Sequence, residues 1–251
     1  MKVKILTSGS KANSTLIISN NIKILIDVGA TSSYIVDELS KEGLTPKDID
    51  AIIITHVHSD HIRGLKTFIK KTNASVYVTE LLIEEIIKIV PVSQIKLIDK
   101  NFFIDSLEFN LIKLSHDVDC YGVIIKEDKK ELVYITDTGY INKKYIDLLT
   151  NKELYIIESN YNEEMLRNGP YPYRLQQRIR SNYGHLSNTD TIDFLNKVIG
   201  PKTELIFLAH ISENNNTYDL AYQEISQGID FNKNKIIVTH QLQSNEMVEI
   251  W

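Results

Sequence analysis

The tightest constraint on how this chain folds lies at residues 51–61. Four apolar residues, Ala51-Ile52-Ile53-Ile54, run straight into Thr55-His56-Val57-His58-Ser59-Asp60-His61. A β-branched run that stops abruptly in a polar turn reads as a buried strand delivering a loop to its mouth. Helical spacing resumes at Ile62, Leu65, Phe68 and Ile69. Three imidazoles and a carboxylate crowd this turn, and polar groups beside a core need partners. In extended chain, residues two apart point the same way, so His56 and His58 can grip one ion together. Asp60 and His61 fall where the chain turns into the helix, free to face a second. A strand–loop–helix is the context in which such a cluster carries metal.

Around this strand the chain must build a sheet, and it has the material: 251 residues, 43% of them hydrophobic. Strand-like runs recur at 3–6, 15–18, 23–27, 51–55, 75–78, 96–98, 107–114, 123–126, 132–136, 154–158, 205–209 and 236–239. Helix-like runs occupy 33–41, 79–89, 142–149, 172–183, 187–198 and 217–227, the second stopping before Pro91. Asn188 to Asp190 can supply the cap of the 187–198 helix. The N-terminal part is richer in hairpins, and the C-terminal part alternates strand and helix. No repeat or low-complexity linker divides the chain, so one domain over 1–251 is expected. Two mixed sheets packed together, with helices outside, accommodate this many strands in an α/β fold.

The remaining composition narrows the setting. A net charge of −5 disfavours general attraction to nucleic acid but permits a local basic patch. Cys120 is the single cysteine, so no intramolecular disulfide forms. The start turns polar at Thr7-Ser8-Gly9-Ser10, too early for a signal peptide. No apolar run approaches the roughly 20 residues of a membrane helix. The expectation is a cytoplasmic protein with no membrane partner, and homo-oligomerisation is left open.

Further polar residues share the pattern of the opening cluster. His116 follows the strand-like run 107–114, Asp137 sits in Ile135-Thr136-Asp137-Thr138-Gly139, and His210 closes Leu205-Ile206-Phe207-Leu208-Ala209. His185 lies in Gly184-His185-Leu186-Ser187, just ahead of a helix, and His240 ends another strand-like run. Singly, each is as compatible with a structural role as with a ligand. Together, imidazoles and carboxylates are the ligand set of zinc, manganese or iron. A bridging carboxylate such as Asp137 lets two cations sit about 3.5–4 Å apart, the clamp used on phosphate esters.

The ordered set His56-x-His58-x-Asp60-His61, His116, Asp137 and His210 resembles the metallo-β-lactamase superfamily over nearly the whole chain. That resemblance implies a four-layer αββα sandwich and two divalent ions. By carry-over His56, His58 and His116 would hold one ion, Asp60, His61 and His210 the other, with Asp137 bridging. Asp27, which ends Ile24-Leu25-Ile26-Asp27, matches the superfamily's first motif, with an implied role in supporting the ligand loop. Finer motifs narrow the likeness: the stretch Ser8-Gly9-Ser10-Lys11-Ala12-Asn13-Ser14, Leu114-Ser115-His116-Asp117, Glu158-Ser159-Asn160, Gly169-Pro170-Tyr171-Pro172, Gly184-His185-Leu186-Ser187-Asn188 and Ala209-His210-Ile211-Ser212. Together they resemble the YycJ/WalJ group, regarded as DNA exonucleases and related to tRNase Z and phosphodiesterases. Two positions depart from that group: Ala12 stands where glycine is usual, and Tyr161 where histidine is usual. The first bears on loop conformation, the second on the substrate lip.

The expected activity is a dinuclear metal-dependent phosphodiesterase, and by resemblance a 5′-to-3′ exonuclease on double-stranded DNA. Asp60 could orient the nucleophile as well as bind metal. His185 is the expected proton donor to the leaving alkoxide, a role implied by the phosphodiesterase branch and suited to an imidazole. Between residues 161 and 183 the chain is locally basic and tyrosine-rich. Arg167, Arg174, Arg178 and Tyr173 are the candidate substrate contacts, since phosphate-tracking cations with stacking aromatics suit a nucleic-acid strand. A solvated helix face explains them equally. Asp117 and Asp119 read as supporting or solvated carboxylates, His240 as structural, and Cys120 as inert. Cyclic-nucleotide or tRNA phosphodiesterases are the alternatives, with lactonases and glyoxalase II-type thioesterases, which usually lack the Gly184-His185-Leu186-Ser187 element. A non-enzymatic binding module is disfavoured, because every ligand is retained.

Overall fold

The computed structural model describes residues 1–250. Two seven-stranded mixed sheets form its centre. The first contains β1 (Lys2–Thr7), β2 (Ser14–Ser19), β3 (Ile22–Ile26), β4 (Ala51–Ile53), β5 (Ser75–Val78) and β6 (Ile95–Leu97). The second runs from β7 (Asn101–Ile104) through β8 (Leu107–Lys113), β9 (Tyr121–Glu127), β10 (Lys130–Ile135), β11 (Leu154–Glu158) and β12 (Leu205–Ala209) to β13 (Ile236–Val238). A last strand, β14 (Val248–Glu249), returns to the first sheet and pairs antiparallel with β1.

Helices cover the outer faces. On the first sheet they are α1 (Ser32–Lys41), α2 (Ser59–Ile62), α3 (Leu65–Phe68) and α4 (Ile83–Ile86); the later helices are α5 (Ile146–Leu149), α6 (Glu163–Asn168), α7 (Tyr173–Ile179), α8 (Asn188–Val198) and α9 (Tyr218–Gly228). Strand alternation explains the layering. Ile24 and Ile26 face the core between the sheets, against Phe109, Val123, Tyr134 and Phe207. Leu25 faces the other way, toward Ile35, Leu39 and Phe68. On the second sheet, Val133, Ile135 and Ile157 face Phe194, Leu195 and Ile225. Because both faces of each sheet are covered, the central strands read as continuous apolar runs rather than alternating ones. The architecture is the αββα sandwich expected.

Each sheet has the same plan, contrary to the expected contrast between a hairpin-rich front and an alternating back. Antiparallel neighbours β14-β1-β2-β3 lead into parallel β4, β5 and β6, and antiparallel β7-β8-β9-β10 lead into parallel β11, β12 and β13. Other differences are local. The expected 79–89 helix is a 3-10 turn followed by the four-residue α4, since its buried stripe is narrow. The 172–183 helix stops at Ile179, where the chain must turn back: His185 N–H donates to Ile179 O at 3.0 Å. A Cβ on Gly184 would stand 2.0 Å from that same carbonyl, so only glycine fits the turn. The α8 cap is Ser187, which forms a capping box with Asp190. Among the described residues no helix is long and apolar enough to cross a membrane.

Candidate metal and active site

All the candidate ligands gather at one edge of the sandwich, where β3, β4, β8, β10, β11 and β12 end. Backbone hydrogen bonds seat the 55–61 loop there. Asn13 N–H donates to Asp60 O at 2.8 Å, Val28 N–H to His61 O at 2.8 Å, and Gly29 N–H to Asn13 O at 2.9 Å. A Cβ on Gly29 would lie 1.7 Å from Asp60 O, so this close approach requires glycine. Three residues at the site's strand ends hold left-handed backbone: Asp27 (φ 59°), Asp137 (φ 61°) and His210 (φ 55°). Strained backbone of this kind persists where the surroundings over-determine it, often at functional sites.

Three overlapping groups of potential ligands result. His56, His58 and His116 form one, Asp60, His61, Asp137 and His210 a second, and Asp137, Glu158, His185 and His210 a third, their ligand atoms lying within 4.8 Å of one another in each; the first two are the expected metal clusters. His116 Nε2 is 3.3 Å from His58 Nδ1, and Asp137 Oδ1 is 3.9 Å from His116 Nε2 and 3.4 Å from His210 Nε2. Asp137 Oδ2 lies 3.1 Å from His61 Nε2. The Asp137 carboxylate therefore stands between the clusters.

The residues fit a metal on their own geometry. His56 Nε2, Asp137 Oδ2 and His210 Nε2 are buried and make no hydrogen bond. Orphaned buried polar atoms are costly, and a shared cation removes that cost. Burial, then the neighbouring His61, pushes the His56 imidazole well down, which keeps it neutral as a ligand must be. Burial likewise lowers His116. Burial opposes protonation of His210, but Asp137, Asp60 and Glu158 outweigh it and lift this imidazole to about 10. His61 is raised well above its ordinary value against the same burial, by Asp27, Asp137 and Asp60. The surrounding carboxylates thus favour the protonated form of both imidazoles.

Carboxylates and carbonyls behind the imidazoles fix which nitrogen faces the site. Asp27 is fully buried and accepts from Thr55 N–H at 2.9 Å, from the Thr55 hydroxyl at 2.7 Å and from His61 Nδ1 at 2.7 Å. Burial pushes its carboxyl up, and His61 and Thr55 oppose that. His116 Nδ1 donates to Gly184 O at 3.2 Å, leaving Nε2 for the cluster. The Asn13 amide donates to Gly9 O at 3.0 Å and to Asp60 Oδ2 at 3.2 Å, and lies 2.9 Å from His61 Nε2.

Glu158 is the residue whose role the sequence hid. It ends β11 with no exposure, and its Oε1 accepts from His185 Nδ1 at 2.7 Å and from His210 Nδ1 at 2.9 Å. Its Oε2 accepts from Thr138 N–H at 3.0 Å. Burial alone would raise this carboxyl, but His185 and His210 hold it below its ordinary range. With Nδ1 committed to Glu158, His185 keeps Nε2 uncommitted, and the residue lines a cavity of 180 Å³ with His116, Asn160, Tyr171 and Arg178. The strand-end pattern placed Glu158 at the right edge of the sheet. Nothing in the sequence linked it to imidazoles 27 and 52 residues away.

The candidate substrate contacts separate. Arg178 lines that cavity and pairs with Asp117. Arg167, Arg174 and Tyr173 are exposed, Tyr173 by 73%, and line neither this cavity nor the 480 Å³ one beside His116. Tyr161 is buried with Leu166 and Ile179, beneath the lip rather than on it. Ala12 is buried, and its carbonyl accepts from the Thr7 hydroxyl at 3.2 Å. Cys120 is buried and its thiol is pushed well up by burial, away from reactive thiolate. His240 packs against the Tyr218 ring, 4.1 Å between centroids.

Comparison with known proteins gives the same reading of the fold. Residues 8–210 match the Metallo-beta-lactamase superfamily. The chain is 33% identical over 251 residues to the exodeoxyribonuclease WalJ of Streptococcus pneumoniae, covering 92% of each chain. It is 32% identical over 234 residues to the exodeoxyribonuclease YycJ of Bacillus anthracis, covering 90% of this chain and 88% of that one. Among solved structures, the metallo-beta-lactamase fold protein YhfI from Bacillus subtilis superposes with a TM-score of 0.77 at 18% identity, over 97% of this chain and 98% of that one. A match this extensive, with relatives that align along nearly their whole length, places the chain in the metallo-beta-lactamase superfamily, as a hydrolase that works with divalent metal.

Proposed function

We propose that this protein is a single-domain, two-metal phosphodiesterase that degrades double-stranded DNA from an end, as a 5′-to-3′ exonuclease. His56, His58 and His116 would hold one cation; Asp60, His61 and His210 the other; Asp137 would be shared. Zinc and manganese suit this nitrogen and oxygen set, as does iron. Bound there, the cations supply Lewis acidity toward a phosphoryl oxygen and make water acidic enough to ionise near neutral pH. Asp60, steadied by the Asn13 amide, accepts a hydrogen bond from the attacking water and so orients it.

The observation that carries the reading is His185. Its Nδ1–H is spent on Glu158, and its ring stacks 5.2 Å from that of His210 at the cavity wall. Its Nε2 remains to serve a leaving oxygen beside Asp137, whose Oδ1 lies 3.8 Å from Nδ1 of the same imidazole. A sugar alkoxide departs far more readily with a proton, whereas a thiolate needs none. That favours phosphate esters over thioesters. The names of the two exodeoxyribonuclease relatives supply the choice of DNA. Arg178 at the cavity would contact the cleaved phosphate, and Arg167, Arg174 and Tyr173 would meet the strand farther out.

A substrate panel tests the proposal. Protein loaded with Mn²⁺ or Zn²⁺ is offered double-stranded DNA, single-stranded DNA, precursor tRNA, a cyclic nucleotide, a lactone and a thioester. The expected result is release of nucleotides from DNA ends. Turnover of the lactone or thioester with no phosphodiester cleavage overturns it.

A further inference from the structure

We propose that Asp117 is the free protein's stand-in for a substrate phosphate and that it holds Arg178 ready as the phosphate clamp. The inference rests on the phosphodiesterase reading above. Asp117 follows His116 on the 114–120 connection between β8 and β9. Its Oδ1 lies 3.2 Å from His58 Nε2 and 3.4 Å from His116 Nε2. Its Oδ2 accepts from Arg178 Nη2, on the opposite wall. One carboxylate thus spans the gap between the first imidazole cluster and a guanidinium on α7. A phosphodiester carries the same single charge and a similar pair of terminal oxygens, and a guanidinium fork binds either.

The position is the one a substrate must cross. Asp117 lines the 480 Å³ cavity, with Lys113, Tyr140 and Lys144. Arg178 lines the 180 Å³ cavity that holds His185. His116 and Tyr183 belong to both, so the ion pair bridges the ridge between them. Asp117 can also leave without disturbing the ligand beside it, because His116 is anchored separately on the Gly184 carbonyl. The pair is held loosely: Asp117 is 31% and Arg178 57% exposed, and ion pairs this open to water are weak. Along the same connection, Asp119 pairs with Lys113, a second cation neutralised until an anion arrives.

Binding of inorganic phosphate to the Mn²⁺-loaded protein, measured by titration calorimetry, tests this without requiring turnover. Asp117→Asn removes the competing charge at an exposed position, and is expected to tighten phosphate binding about two- to fivefold, the scale of a weak surface pair. Arg178→Ala is expected to weaken it. The double variant is expected to bind no tighter than Arg178→Ala alone, because the freed partner is gone. Metal content of Asp117→Asn, read by elemental analysis, is expected to equal that of the parent. Unchanged or weaker phosphate binding in Asp117→Asn overturns the proposal, as does loss of a bound ion, which would make Asp117 a ligand. Absence of any phosphodiester cleavage would sink the nuclease reading and leave the phosphate result standing. Cleavage with phosphate affinity unmoved by Asp117→Asn would do the reverse.

Discussion

In the first sheet Asp27 follows β3 with φ of 59°, ahead of Val28 and Gly29; in the second, Asp137 follows β10 with φ of 61°, ahead of Thr138 and Gly139. The strand order around them is equivalent, and both carboxylates are buried. Their surroundings differ. Both Asp27 oxygens are taken, by Thr55 and His61. Asp137 keeps Oδ2 without a hydrogen bond. The same backbone device therefore presents a carboxylate twice, and the neighbouring donors decide whether it steadies an imidazole or keeps an oxygen open between the two clusters. Each half also supplies one carboxylate behind imidazoles. Asp27 serves His61, and Glu158 serves both His185 and His210.

Substitutions can break this comparison. Asp137→Ala is expected to reduce hydrolysis to background and to lower the bound metal measured by elemental analysis, since the carboxylate that stands between the two clusters is removed. Next in size, His185→Ala is expected to lower kcat about 10²–10⁴-fold, the usual worth of a general acid, while metal content stays at the parent level. Equal loss on a substrate with a leaving group that needs no proton, such as p-nitrophenolate, would refute the donor role. Asp27→Asn is expected to cost about 10–100-fold in metal affinity or activity, as for other groups that orient a ligand; a loss as complete as that of Asp137→Ala would erase the distinction between the two aspartates.

The smallest effect is in protons. Without metal, His210 holds its proton to about pH 10, through Asp137, Asp60 and Glu158 acting against burial. Its folded value lies above that of the unfolded imidazole, near 6.5. The stability this gives the metal-free protein is therefore full below about pH 6.5 and is lost as pH rises through about 10. His61 is raised in the same direction. Metal uptake at pH 7.5 must displace both protons, so about two are expected to appear per molecule in weakly buffered solution. Release of none would mean that His61 and His210 bind no cation.

Much of this site was legible in the chain because ligands sit where apolar runs end. The 55–61 loop, His116, Asp137 and His210 each follow a strand announced by its apolar residues. The structure places all of them at one edge. What escaped has physical reasons. β14 is two residues long and α6 six, too short for periodicity to register. The matching plans of the two sheets leave no repeat in sequence, since many apolar residues fill the same backbone position. Glu158 and the Arg178–Asp117 pair depend on contacts across the fold that spacing does not encode.

The main-chain bonds that join Asn13 to Asp60 and Val28 to His61 carry a last consequence. The ligand loop is shaped by hydrogen bonds of the polypeptide itself, so its form does not wait on an ion. Any bound ion is then expected to exchange without refolding of the loop, which amide hydrogen exchange across residues 55–61 with and without metal would check. Since oxygen and nitrogen donors accept several divalent ions, the occupant is expected to follow local supply: protein made in manganese-rich medium should carry manganese, and in zinc-rich medium zinc.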